Sequence, residues 1–190
     1  MAEIRGFPRK QKEHAKFERL LRPHLKQLYR VAYRFAGNAS DAEDLVQDLM
    51  IKIYHRRDEL EMVEKLRPWL VRVMYHLFID NKRRHKRSPV HLAVDNATDD
   101  SDNGGLLEQI ACEAGGPQDE TARHLHAGHL LRALRQLSED HRMVLTLHDI
   151  EGYTLEEMTR IVDAPLGTLK SRLHRARARL REILEISVED

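Results

Sequence analysis

Apolar side chains recur every three or four residues along much of this 190-residue chain, the spacing that places them on one face of an α-helix. The spacing predicts a first helix over 12–36, which Gly37-Asn38 ends. A second helix is expected after a capping box that begins at Ser40, and Pro68 is expected to open a third helix with Trp69 on its inner face. The N-terminal part is therefore predicted to be helical.

The C-terminal part shows the same spacing. A helix is predicted over 121–136, and Ser138 is expected to cap the next one. Thr154 and Glu157 match a capping box for a further helix, which the turn at Asp163-Ala164-Pro165 ends. Pro165 suits the first turn of the helix that follows. Two helices joined by so short a turn form a helix-turn-helix motif.

The second helix of this motif is strongly cationic. Its apolar stripe consists of Leu169, Leu173, Ala176, Leu180 and Ile183. The basic residues fall mostly off that stripe, and they are Lys170, Arg172, Arg175, Arg177, Arg179 and Arg181. A duplex major groove admits one helix, and its base edges and phosphates attract Arg and Lys. The pattern therefore favours DNA binding over a helical hairpin with a merely solvated basic face.

Charge divides the chain into three parts, although the net charge is only +1. Residues 1–87 hold 21 Lys and Arg against 12 acids, whereas residues 88–122 hold eight acids and no Lys or Arg. Pro and Gly are frequent in this acidic stretch, as in a linker. We predict an all-α protein of two small helical domains, 1–88 and 121–190, joined by a flexible acidic linker over 89–120. The linker either shields the basic surfaces when DNA is absent or is only a soluble tether.

The helix dipole alone does not explain two clusters of charged residues. Residues 81–87 (NKRRHKR) end the third predicted helix, and their density of basic groups exceeds what the helix dipole favours. A polyanionic partner accounts for them better. In the second helix the dipole accounts for Asp41 and Asp44, but less well for Asp48, which lies further into the helix.

Other function classes find little support. Cys112 is the only cysteine, so no internal disulfide is possible, and residues 1–16 lack the apolar core of a signal peptide. No apolar run approaches the length of a membrane span, and we expect a cytoplasmic protein with no membrane insertion. The twelve histidines include His126 and His129 at helical spacing, which leaves a metal or redox sensor open as a weak alternative. The sequence contains no nucleophile motif and no phosphate-binding loop of the kind that would indicate an enzyme.

Four segments together resemble one protein family. They lie at 41–48, 67–73, 137–142 and 155–173, and they include the acidic helix, the Trp69 segment and the helix-turn-helix. In this order and spacing they resemble the extracytoplasmic-function sigma factors, the minimal two-domain class of the sigma-70 family of bacterial transcription initiation factors. The resemblance covers nearly the whole chain from Phe17 to Leu184. A stand-alone helix-turn-helix regulator remains the alternative, although the acidic helix and the Trp69 segment argue against it.

The resemblance implies roles for the first domain. The acidic helix is expected to bind core RNA polymerase through Asp41, Asp44, Gln47 and Asp48. The third helix and its basic end are expected to bind the melting −10 promoter element through Trp69, Arg72, His76, Asp80, Lys82, Arg83 and Arg84. Family members often have Asn at the position of His76, and His offers a different set of hydrogen bonds there.

The resemblance also places the second helix of the helix-turn-helix in the −35 major groove. Base or near-base contacts are expected from Lys170, Ser171, His174 and Arg175. Phosphate contacts are expected from Thr168, Arg172 and Arg177, and from His148, which stands where an Arg often touches the backbone. The family is commonly held inactive by an anti-sigma factor. No catalytic residue, cofactor or metal is implied.

Overall fold

The computed structural model describes residues 8–87 and 128–189, and every regular element in these ranges is a helix. The predicted all-α class is therefore confirmed. The N-terminal set consists of α1 (Pro8–Ala36), α2 (Ala39–His55), a short 3₁₀-helix (Arg57–Met62) and α3 (Leu66–Arg87). The C-terminal set consists of α4 (described over 128–135), α5 (Glu139–Leu145), a π-helical turn (Thr146–Ile150), α6 (Leu155–Val162) and α7 (Leu166–Glu189).

The start of α2 differs from the prediction. Its N-cap is Asn38, whose side-chain oxygen accepts a hydrogen bond from the backbone N–H of Asp41 at 2.8 Å. The capping box predicted at Ser40 is wrong, because Gly37 ends α1 with a φ of 87° and leaves Asn38 as the extended residue before the next helix. Asn is among the strongest N-cap residues, so the helix begins two residues earlier than the box would place it.

The helix-turn-helix forms as predicted. The backbone N–H of Glu157 donates to Thr154 Oγ1, and the backbone N–H of Thr154 donates to Glu157 Oε2, each at 3.2 Å. Asp163 ends α6 in the left-handed conformation, with a φ of 54°. Pro165 lies one residue before α7 and not in its first turn, and its carbonyl accepts from the backbone N–H of Leu169 at 3.1 Å.

The two sets of helices pack against each other. Within the sets, α1 packs on α2 and α3, and α5 and α6 pack on α7. Between the sets, α1 contacts α5, and α3 lies along α6. One continuous buried cluster therefore runs through both sets. The sequence predicted two small helical domains joined by a linker, and no pattern in it indicated this shared surface.

Several expectations fall on residues that the structure does not describe. These are the linker over 89–120, the start of the helix predicted from 121, and the positions of Cys112 and His126. Within 8–87 and 128–189, no helix is long and apolar enough to cross a membrane. In the same ranges, no three His, Cys, Asp or Glu side chains are grouped so that they would hold a metal ion.

Candidate nucleic-acid interface

Helix α7 presents one face to the protein and the opposite face to solvent. Leu169, Leu173 and Ala176 are buried on the inner face, at the predicted spacing. The four side chains predicted to reach bases are all exposed, namely Lys170, Ser171, His174 and Arg175. Alternation of this kind is what a recognition helix needs, because the inner stripe anchors the helix while the outer face remains free to enter a groove.

The two arginines of α7 that are predicted to bind phosphate already have acidic partners. Arg172 Nη2 lies 3.5 Å from Asp140 Oδ2 in α5. Arg177 Nε donates to Asp149 Oδ2 at 2.9 Å, and His148 Nδ1 lies 2.7 Å from Asp149 Oδ1. The hydrogen bond from Arg177 lowers the pKa of Asp149, and burial opposes the shift only in part. Asp149 therefore holds two predicted phosphate ligands, Arg177 and His148, next to each other.

The candidate −10 residues form a stripe along α3, at spacings of three and four. Trp69 and His76 are half-buried, whereas Arg72 and Asp80 are exposed. The guanidinium of Arg56 lies 5.6 Å from the centroid of the Trp69 ring, within cation–π range. Burial and the nearby positive charge of Arg72 lower the pKa of His76. A lowered pKa keeps the His76 imidazole neutral at pH 7, so it offers stacking and one N–H donor but no charge.

At the basic end of α3, one of the predicted DNA-binding side chains is already paired within the protein. Arg83 and Arg84 are exposed, but Lys82 Nζ lies 3.2 Å from Glu139 Oε1 of α5. Lys82 also lies over the ring of Phe78, 5.8 Å from its centroid. The structure therefore leaves most of this cluster to solvent, while it ties Lys82 to the C-terminal set.

The acidic face of α2 contains an apolar residue that the sequence analysis did not single out. The four predicted polymerase-binding side chains are all exposed, namely Asp41, Asp44, Gln47 and Asp48. Ile51 continues the same stripe, three residues beyond Asp48, and is 59% exposed. A single exposed aliphatic residue is common on protein surfaces, so Ile51 is of interest here only because it lies in line with the predicted polymerase-binding residues. The sequence could have indicated this, because helical spacing places Ile51 outside the buried face that Leu45 and Leu49 define.

Arg56 was also missed, because its approach to Trp69 depends on the turn between α2 and the 3₁₀-helix. Its guanidinium is held by Glu59, with Arg56 Nε donating to both carboxylate oxygens at 3.1 Å. The hydrogen bond from Arg56 is the main cause that lowers the pKa of Glu59. Arg56 and Trp69 are 13 residues apart and lie in different elements, so no helical spacing in the sequence indicates that they meet.

Comparison with known proteins places these surfaces in a family. The model of sigma-70 region 2 matches residues 20–88, and that of sigma-70 region 4 matches residues 128–180. The chain is 32% identical to the ECF RNA polymerase sigma factor SigE of Mycolicibacterium smegmatis over 173 residues, which is 88% of this chain but 61% of that protein. It is 30% identical to SigM of Mycobacterium tuberculosis over 168 residues, which is 88% of this chain and 76% of that protein.

Solved structures agree with the sequence comparisons. The sigma factor RpoE of Bartonella quintana, crystallised with the anti-sigma factor NepR, matches 90% of this chain and 98% of its own with a TM-score of 0.63 and 25% identity. CnrH in complex with the cytosolic domain of CnrY matches 91% of this chain and 90% of its own, with a TM-score of 0.59. At 21% identity the second match shows the fold alone.

The chain is all-α and carries an exposed cationic helix-turn-helix. It also matches region 2 and region 4 of sigma-70 in separate segments. This combination is the domain organisation of a bacterial transcription initiation factor. The chain belongs to the extracytoplasmic-function (ECF) RNA polymerase sigma factors of the sigma-70 family. It is therefore not an enzyme, because sigma factors contribute promoter selection and the polymerase contributes the chemistry. The predicted family is confirmed.

Proposed function

We propose that this chain binds core RNA polymerase in the cytoplasm, reads the −35 and −10 elements of a promoter, and starts transcription of a stress- or signal-responsive set of genes. The observation that supports this most is the presence of three different exposed surfaces on one chain. They are the cationic face of α7, the aromatic and basic stripe of α3, and the acidic face of α2. A stand-alone DNA-binding regulator would need only the first of them.

The −35 element is read by α7. Arg175 and Lys170 are long, exposed and cationic, which suits the acceptors on guanine in the major groove, and Ser171 and His174 supply shorter polar contacts beside them. Thr168, Arg172, Arg177 and His148 line the flank and hold phosphates, which positions the helix without specifying sequence. Arg177 exchanges part of its pairing with Asp149 for a phosphate when DNA binds.

The −10 element is read by α3 as single-stranded DNA. Trp69 is half-buried with Arg56 over its ring, so the ring is fixed and ready for a base that has left the duplex. Stacking of this kind contributes about 1–3 kcal/mol per base. Arg72, His76 and Asp80 continue the same stripe beside the flipped base. Arg83 and Arg84 bind the adjacent backbone, and Lys82 joins them once it leaves Glu139.

The polymerase is bound by α2. Asp41, Asp44, Gln47 and Asp48 present carboxylates and an amide to basic groups on the largest subunit, and Ile51 adds an apolar contact at the end of that stripe. Charged groups of this kind mainly set encounter rate and orientation, whereas a buried aliphatic contact contributes to the lifetime of the complex.

An anti-sigma factor is the proposed regulator. Large apolar side chains are exposed on both sets of helices, with Met62 86% and Ile186 62% exposed. The Bartonella quintana structure is a sigma factor in complex with an anti-sigma factor. We propose that the inhibitor binds through exposed apolar residues of this kind on both sets of helices.

Run-off transcription tests the proposal. Bacterial core polymerase is supplied with a pool of genomic promoter fragments, with and without this chain. The expected result is a set of chain-dependent transcripts whose templates share paired elements upstream of the start. No binding to core, together with tight duplex binding by the chain alone, would contradict the proposal and favour a stand-alone regulator.

A further inference from the structure

Glu151 joins the two sets of helices. It lies in the turn just before the helix-turn-helix, and its side chain is only 7% exposed. Three side chains of the N-terminal set donate to its carboxylate, with Gln27 Nε2 at 2.6 Å, Arg34 Nη1 at 2.8 Å and Arg67 Nη2 at 3.4 Å. Arg67 Nη2 also donates to the backbone carbonyl of Glu151 at 2.8 Å. One buried carboxylate therefore receives donors from both α1 and α3.

A second buried contact supports the same arrangement. Arg142 of α5 is 8% exposed, and its Nη2 donates to the carbonyl of Phe35 in the last turn of α1 at 2.8 Å. A cation at this position also complements the negative end of the α1 dipole. Arg67 covers the ring of Tyr153 at 5.0 Å from its centroid, which closes the turn around Glu151.

The closed arrangement conflicts with simultaneous binding of the two promoter elements. Helix α3, which reads −10, lies along α6, the first helix of the motif that reads −35. Packed helices have axes about 8–10 Å apart. The two elements are separated by about 25 base pairs, or roughly 85 Å at 3.4 Å per base pair. A chain whose two reading units lie side by side cannot occupy both elements, so the units must separate first.

We propose that Glu151 is the clasp of an autoinhibited closed form, in which its carboxylate holds α1 and α3 against the helix-turn-helix until polymerase and promoter separate them. The proposal rests on the promoter-binding function proposed above. Its specific content is that one carboxylate controls the balance between closed and open chains. Because hydrogen bonds to a charged group contribute more than neutral ones, removal of the charge should lower the closed-to-open ratio by about tenfold or more.

The test measures the distance between the two sets in the full chain. Spin labels are attached to Ser40→Cys in α2 and Gln136→Cys just after α4, in a Cys112→Ser background. Both positions are exposed and flank the close approach of Gly37 to Arg135, where a Cβ on Gly37 would lie 3.9 Å from Arg135 Cγ. Pulsed electron resonance should give one short-distance population for the unmodified clasp. Glu151→Gln, which keeps the shape and removes the charge, should move a large share of molecules to long distances. Circular dichroism checks that helix content is retained.

Two further variants make the result specific. Glu156→Gln removes the same charge from an exposed position in the first turn of α6, and should leave the distances unchanged. Arg34→Gln should open the chain, and the double variant with Glu151→Gln should open it little further, since both changes break one interaction. Distances that stay short in Glu151→Gln, or a long-distance population already dominant before substitution, would overturn the proposal.

The distance measurement needs neither polymerase nor DNA, so it separates this proposal from the one it rests on. If Glu151→Gln opens the chain but the chain never directs transcription, the role of Glu151 is supported and the promoter function is refuted. If the chain directs transcription but is already open without substitution, the promoter function is supported and the role of Glu151 is refuted.

Discussion

Gly37 has a backbone conformation that disfavours a side chain, and it lies close to the guanidinium of Arg142. Its φ is 87°, in the region that L residues rarely adopt, and a Cβ built on it would lie 3.4 Å from Arg142 Nη1. The same residue thus ends α1, exposes Asn38 as the cap of α2, and leaves room for the buried guanidinium that contacts the end of α1. A single glycine therefore contributes both to the N-terminal set and to its contact with the C-terminal set.

Replacement of Gly37 by Ala should lower the free energy of unfolding by about 1–2 kcal/mol, the typical strain of a left-handed non-glycine residue. Gly167→Ala is the matched control, because Gly167 has no positive φ and a Cβ there meets nothing within 4 Å. That change should be neutral or raise stability by up to about 1 kcal/mol, as expected for Ala in a helix. Urea unfolding of both variants measures the difference, and equal effects would refute the account of Gly37.

Asp149 provides a pH-dependent contact at the edge of the recognition helix. The hydrogen bond from Arg177 is the largest cause of its lowered pKa, followed by burial, which opposes it. A carboxyl with a lowered pKa in the folded state contributes stability above its unfolded value of about 3.9, and that contribution is lost as the pH falls through the lower folded value.

A carboxyl-carbon NMR titration should therefore place the midpoint of Asp149 below its ordinary value. In Arg177→Gln the midpoint should rise, because the first cause of the shift is gone. An unchanged midpoint in that variant would show that Arg177 does not set the ionisation of Asp149.

Helix boundaries follow from capping chemistry, and here the sequence predicted much of the structure. The box at Thr154 and Glu157 was readable because both partners lie three residues apart in a fixed order. The box predicted at Ser40 was wrong because the competing cap at Asn38 depends on how Gly37 ends α1, and that is a property of two helices together. The exposed face of α7 was predictable for a simpler reason, since its inner stripe repeats without interruption from Leu169.

The N-cap residues Thr154 and Ser138 should contribute differently to the free energy of unfolding. Thr154 accepts from the Glu157 backbone, whereas Ser138 makes no side-chain capping hydrogen bond. Thr154→Ala should therefore cost about 1 kcal/mol of stability. Ser138→Ala should cost clearly less, and chemical unfolding of both variants gives the comparison. A larger loss at Ser138 would contradict the capping assignment.

At the scale of the whole molecule, the packing of the two sets was beyond sequence reasoning. Glu151, Arg34 and Arg142 look like solvated charges in the sequence, because each lies in a strongly charged stretch and no periodicity marks it as buried. Their burial depends on contacts between positions more than a hundred residues apart, such as Arg34 with Glu151. The family assignment succeeded without this information because its motifs are local. The domain boundaries and the roles of individual DNA-binding side chains stay predictions.

The most direct measurement is promoter-dependent transcription by two variants on three templates. Arg175→Ala and Trp69→Ala are each assembled with core polymerase, on a full promoter and on derivatives that lack the −35 or the −10 element. Arg175→Ala should lose about 1–3 kcal/mol of discrimination, roughly 5-fold to 150-fold in initiation, on the full promoter. It should lose little where the −35 element is absent, and Trp69→Ala should be insensitive where the −10 element is absent. Equal losses on all three templates would contradict the assignment of one element to each set of helices.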